Sequence, residues 1–134
     1  MLLLLLKQHY RFLLCIMAEH NDTGNIGENY AVQFMIKRGF KILHRNWRFG
    51  HYEVDLIADG MDKLHFIEVK TRKKHGFGHP EDAVTKTKLK HMIQSANHFL
   101  YLYPHWNRIQ FDILSISIYN ENKIEYYLIE DIFL

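Results

Sequence analysis

The sequence predicts a single α/β domain whose elements run helix, strand, strand, strand, helix, strand, with one further strand at the C-terminal end. Three observations predict it. An amphipathic segment with a capping signature opens the domain. Two apolar runs on either side of a turn containing Asp59 and Gly60 read as a β-hairpin. A long stripe at helical spacing then separates that hairpin from another strongly apolar run. At 134 residues, 48% hydrophobic and 24% charged, the chain has the composition of a globular domain and room for one core. No Gly/Ser-rich or Pro-rich tract and no internal repeat divides it.

The N-terminal stretch MLLLLLKQHYRFLLCI does not read as a signal peptide: no basic residue precedes Leu2, Lys7 to Arg11 interrupt the apolar run, and no A-x-A-like site follows. Nor does it hold the ~20 apolar residues of a membrane-crossing helix. Met17 opens MAEHNDTGNIGENYA, an ordinary start for a soluble domain. The expectation is therefore an apolar extension over residues 1–16, left by an over-extended gene start, and a domain over residues 17–134.

Within that domain Asn25-Ile26-Gly27-Glu28 resembles a capping box, and a helix is expected from there to Arg38 with Gly39 as its stop. Glu28, Ala31, Val32 and Met35 fall on one stripe of it, so Glu28 should point along the apolar face toward the sheet. Residues 40–48 alternate as a strand, and residues 52–58 and 64–71 form the hairpin. A basic, glycine-bearing loop, RKKHGFGHP, follows. Leu89, Met92, Ala96, Phe99 and Tyr103 then mark a helix over about residues 81–103, ended by Pro104. Residues 108–118 and 123–129 read as the last two strands.

The lone Cys15 excludes an intramolecular disulfide, which fits a reducing compartment and the cytoplasm. The formal charge of +2 is unevenly spread: residues 37–90 hold 13 Lys/Arg against 7 Asp/Glu, and residues 91–134 hold 2 against 5. A local basic excess attracts polyanions, nucleic acid above all, although on charge alone an ordinary solvated surface is the preferred reading.

The informative charges lie inside the hairpin HYEVDLIADGMDKLHFIEVKTR. Simple alternation puts Glu53, Asp55 and Ile57 on one face of the first strand, Val54 and Leu56 on the other, and groups Leu64, Phe66, Glu68 and Lys70 in the second. A turn centred on Met61 and Asp62 pairs Val54 with Val69, Leu56 with Ile67, Asp55 with Glu68, and Glu53 with Lys70. Two like charges would then oppose each other with Cβ atoms roughly 5 Å apart, which is destabilising. Lys70 would stand about 6.7 Å along the strand from Glu68. A hard divalent cation relieves such repulsion, since Mg²⁺ takes oxygen ligands, commonly one or two carboxylates with water and substrate phosphate. An exposed polar hairpin face with a Glu53–Lys70 pair is the bland alternative. Ile57, Leu64 and Phe66 on the same face argue for a covered one.

Asp55 followed by Glu68-Val69-Lys70, with an acidic residue on a preceding helix, resembles the PD-(D/E)XK restriction-endonuclease-like superfamily, and the archaeal Holliday-junction resolvases within it. More closely, the chain resembles the YraN family of small bacterial proteins, to which endonuclease activity is ascribed. The stretches that carry the resemblance are GNIGENYAVQFMIKRGFKILHRNWR, YEVDLIA, FIEVKTR, GHPEDAVTKTKLKHMIQSANHFL and QFDILSI. It implies an α-β-β-β-α-β core with a mixed sheet flanked by helices, Mg²⁺ or Mn²⁺ as cofactor, and structure-directed cutting of nucleic acid, DNA in branched form above all, by a two-fold dimer. Carried onto this chain, Asp55 and Glu68 are the metal ligands, Lys70 the catalytic lysine and Glu28 the helix glutamate that aids metal or water binding. Lys88 faces the site or the phosphates, and Glu53 adds to the site or pairs with Lys70. Tyr52 stands where the family has glycine, and Gln110 where an arginine commonly precedes Phe-Asp.

Beyond the carboxylates, Arg72, Lys73 and Lys74 leave the catalytic strand and, with Arg48 and Lys88, are expected to contact phosphates. His75 and His79 lie in a Gly/Pro loop without a cysteine pair or an H-E-x-x-H helix, so zinc is not expected. Trp47 and Trp106 offer base-stacking rings, but at element ends such rings more often belong to the core. The expected function is metal-dependent hydrolysis of phosphodiesters in structured or branched DNA; the alternative is a non-catalytic nucleic-acid-binding module on the same fold.

Overall fold

A computed structural model describes residues 23–73 and 85–132, so the expectations for residues 1–16 and for Lys74, His75 and His79 lie outside it. Helix α1 (Thr23–Lys37) begins two residues before the expected Asn25. Asn21, Asp22, Thr23 and Asn25 are all residues that cap well, so the local signal does not single one out. Its C-terminal end follows the expectation: Gly39 takes φ 90°, and Phe40 N–H donates to Met35 O at 3.0 Å in a Schellman closure.

Five strands follow in chain order across one sheet: β1 (Lys41–Phe49), β2 (Tyr52–Gly60), β3 (Lys63–Lys73), β4 (Ile109–Asn120) and β5 (Lys123–Ile129). β1, β2 and β3 pair antiparallel, β3 and β4 parallel, and β4 and β5 antiparallel, which is the mixed sheet of the restriction-endonuclease-like core. The hairpin turn is centred on Met61 and Asp62, both with positive φ (53° and 60°), and Leu56 faces Ile67 in the expected register.

Helix α2 (Lys86–Leu102) makes the crossover between the parallel strands β3 and β4. It starts at Lys86, not near residue 81, because Thr85 is extended (φ −81°, ψ 162°) and caps the helix by accepting Lys88 N–H at 3.1 Å. The two helices bury opposite faces of the sheet. On one, Ala31, Val32, Met35 and Phe40 cover Leu56, Ala58, Ile67, Leu114 and Ile116. On the other, Leu89, Met92, Ala96 and Phe99 cover Val54, Ile57, Leu64 and Phe66. Each fully buried side chain of this size contributes roughly 1.5–3 kcal/mol.

One buried polar network ties the far edge to the middle. His65 Nδ1 lies 2.7 Å from Asp112 Oδ2, and His65 Nε2 lies 3.1 Å from Gly60 O. Both partners present oxygens, which favours the doubly protonated ring, since only then do both ring nitrogens donate to them. Burial alone would lower its pKa, but the hydrogen bond and charge of Asp112 and the Gly60 carbonyl outweigh that, and the pKa is raised. Asp112 Oδ1 also accepts from Gln110 Nε2 and from Asp131 N, each at 2.9 Å. Gln110, the departure from the family pattern, is thus a buried strut between Lys63 (3.1 Å) and Asp112.

Candidate metal centre

Asp55 sits where the pleat of β2 is broken. Asn46 of β1 takes φ 51° and lies between the pairs Arg45 with Leu56 and Trp47 with Val54. On one side of it, Arg45 reaches toward α1, donating to Asn29 Oδ1 at 2.8 Å, and Leu56 packs in the α1 core. On the other side, Trp47 and Val54 belong to the α2 core. Val54 and Leu56 therefore do not share a face, contrary to simple alternation, because both strands twist over at this point. The Asp55 side chain is left in the plane of the sheet, where its Oδ2 accepts Val69 N–H of β3 at 2.8 Å. The recorded β2–β3 pairing ends one step earlier, at Leu56 and Ile67. Asp55 substitutes for the ladder and holds the two strands as they part.

Glu68 comes from the facing strand and is 4% exposed. Desolvation, then the negative charge of Asp55, push its pKa up to about 8, partly opposed by Lys88. Lys88 Nζ of α2 lies 3.3 Å from Glu68 Oε2, but off the direction of a hydrogen bond, so that buried oxygen has no hydrogen-bond partner. Lys70 follows two residues along β3, half-buried on the same face by the pleat, with no partner for its ammonium among the described residues.

The helix α1 side closes the site. Gly27 lies flat against β3: a Cβ there would sit 1.7 Å from Thr71 Oγ1, so only glycine lets α1 approach this closely. That approach carries Glu28 to the site, where it accepts from Asn46 Nδ2 at 2.9 Å and lies 3.8 Å from the Arg45 guanidinium. Burial raises its pKa, with Asp55 and Glu53 adding repulsion and Asn46 and Arg45 opposing it. Glu53 pairs with Arg48 across β1 at 3.5 Å, not with Lys70, because the β2–β3 pairing has ended before it reaches that pair. Arg48 remains largely exposed at 71% beside it. Arg72 and Lys73 continue β3 away from the carboxylates.

The structure therefore brings Asp55, Glu68, Lys88, Glu28 and Glu53 into one electrostatic neighbourhood. Asn46, Arg45 and Asn29, which position Glu28, were not singled out by the sequence; the only signal was a polar interruption in an otherwise alternating strand. Among the described residues no three His, Cys, Asp or Glu side chains cluster closely enough to form a complete metal cage. Two carboxylates that repel each other in a buried site fit Mg²⁺ or Mn²⁺, which need only one or two and take water and phosphate for the rest.

The sequence pattern of the Uncharacterised protein family UPF0102 matches residues 27–116. The chain belongs to that family. UPF0102 proteins of similar sequence include one from Bacteroides thetaiotaomicron, 41% identical over 106 residues, covering 79% of this chain and 88% of the relative. Another, from Phocaeicola vulgatus, is 43% identical over 100 residues, covering 75% and 83%. A third, from Dictyoglomus thermophilum, is 41% identical over 106 residues, covering 78% and 90%. The UPF0102 match begins at Gly27, the close-contact glycine, and contains every carboxylate and lysine of the site. It agrees with the YraN resemblance. No helix among the described residues is long and apolar enough to cross a membrane.

Proposed function

We propose that this UPF0102 protein is a metal-dependent endonuclease acting on structured or branched DNA. The observation that carries the reading is the pair Asp55 and Glu68: two carboxylates held by adjacent strands, one of them buried, with its pKa pushed up to about 8 by burial and by the charge of the other. Mg²⁺ or Mn²⁺ bound there would polarise the phosphodiester and acidify a water.

The remaining work falls to the chain. Asp55 is fixed by Val69 N–H, so one of its oxygens is spent on orientation and the other is left for the ion. Glu68 must lose its proton to bind the ion, which the nearby Lys88 ammonium assists. Lys70 carries a positive charge on the same face as Glu68, suited to a phosphate oxygen as charge develops in the transition state. Glu28, held by Asn46 and close enough to Asp55 to feel its charge, is the acceptor for a water proton.

The test compares wild type with Asp55→Ala on single-stranded, duplex, flap and four-way DNA in Mg²⁺ or Mn²⁺. Metal-dependent cleavage lost in the variant supports the reading, and no cleavage by wild type on any of these substrates rejects it. One observation favours a second reading, a non-catalytic DNA-binding module: Lys88 and a retained proton can keep Glu68 quiet without any metal. That module would bind DNA in a salt-sensitive way with Asp55 and Glu68 both removed.

A further inference from the structure

Rings from β1, β2 and α2 meet on the α2 side of the sheet. Phe49, at the end of β1, stacks on His98 of α2 with centroids 3.9 Å apart and planes 11° from parallel. Tyr101, one turn along α2, lies 6.4 Å from the same imidazole and 23° from its plane. On the other flank Phe49 meets Tyr52 at 6.3 Å, and Tyr52 meets His91 at 4.8 Å. The surface is continuous and its outer members are open to solvent, Tyr101 at 81% and Phe49 at 37%. Phe99 of the same helix is 2% exposed, so α2 has a ring for its core and a second set turned outward.

Core packing does not require the outward set, and exposed apolar patches of this kind mark binding sites. Three features select the occupant. The patch is made of flat rings, whose π-faces suit stacking on bases. A cation borders it: the exposed Lys90 precedes His91 on α2, which suits a phosphate backbone. One end of it also lies close to the carboxylates along the chain, Tyr52 being three residues before Asp55 on β2 and His91 one turn after Lys88 on α2.

We infer that this ring surface is a stacking subsite for unpaired nucleobases, on a strand whose phosphate lies at the Asp55 and Glu68 centre. The inference rests on the nuclease reading for the position of that phosphate and sharpens its substrate: a strand with unstacked bases beside the scissile bond is preferred over continuous duplex. Because every base has a π-face, the subsite confers no sequence preference.

Binding is measured in EDTA by fluorescence anisotropy, with a labelled oligothymidylate and an abasic strand of equal length and charge. Wild type is expected to hold the base-bearing strand about tenfold tighter than the abasic one. Phe49→Ala with Tyr101→Ala, both exposed and free of core contacts that the fold depends on, should lose that preference while abasic binding and calorimetric Mn²⁺ titration stay as in wild type. Equal affinity of wild type for the two strands overturns the inference, as does a base preference that survives in the double variant. Sedimentation showing a wild-type dimer that the double variant splits, with base preference intact, assigns the rings to a second copy and also overturns it. A protein with the base preference that cuts nothing in Mg²⁺ keeps the subsite and refutes the nuclease reading; one that cuts but binds both strands alike does the reverse.

Discussion

Replacing Glu68 with glutamine should stabilise the metal-free protein, and by an amount that grows with pH. The folded state holds the Glu68 proton with a pKa of about 8 against an ordinary 4.5, so burying the carboxyl costs nothing below about pH 4.5 and costs progressively more as pH rises toward 8. At pH 7 the linkage amounts to roughly 3 kcal/mol. The amide forgoes the attraction of Lys88, 3.3 Å away, so that figure is an upper one. For a domain of this size it corresponds to roughly 10 °C in melting temperature. The assay is thermal unfolding by circular dichroism in EDTA, wild type against Glu68→Gln, from about pH 5 to about pH 8.5. His65 titrates in both proteins, so the difference between them isolates Glu68. Mn²⁺ should then reverse the order, raising the wild-type melting temperature and leaving the variant unmoved, because the ion displaces the Glu68 proton and the amide offers a poorer ligand. A stability difference that stays flat across this pH range would refute the claim that burial and Asp55 keep the carboxyl neutral.

The remaining predictions concern the supports. Asp112→Ala removes the buried acceptor of His65, Gln110 and the Asp131 N–H and should cost roughly 1–3 kcal/mol in urea unfolding. Because the His65 pKa is raised, its stabilisation is complete below about pH 6.5 and is lost as pH rises through the folded value, a slope that His65→Gln should abolish. Gly27→Ala drives a methyl to within 1.7 Å of Thr71 Oγ1 and should cost roughly 1–3 kcal/mol in the same assay, with cleavage reduced as Glu28 is pushed from Asn46. Lys70→Met should lower cleavage roughly a hundredfold or more while calorimetric Mn²⁺ affinity is unchanged, since Lys70 is no ligand.

Much of the fold was legible because the local rules agreed with one another. The stripe Leu89, Met92, Ala96, Phe99 gave α2 its buried face, and Gly39 ended α1 where a positive φ was needed. The hairpin register was readable from the turn position, even though Met61 and Asp62 lack the usual Asn-Gly chemistry, because any other register would have buried the wrong set of side chains. Of the site, Glu68 was legible as a charge on a strand too apolar to be exposed. Its contact with Lys88 was not readable from spacing, since helix and strand meet only through tertiary packing.

What stayed illegible traces largely to one residue. Asn46 is an unremarkable polar position in the sequence, and no pattern says that it will adopt φ 51°. Once it does, β1 and β2 exchange faces there, so the alternation that correctly placed Leu56 misplaces Val54, and the expected Glu53 and Lys70 pair gives way to Glu53 and Arg48. The same twist points Asp55 along the sheet at Val69 N–H instead of into either core, and leaves the Asn46 amide beside Glu28. Had the pleat been regular, Asp55 would have shared a face with Ile57, buried against α2 and apart from Glu28. The departure from strand geometry is thus what lets one carboxylate communicate with groups on both sides of a sheet, which is where local rules are expected to fail when a site has to be built.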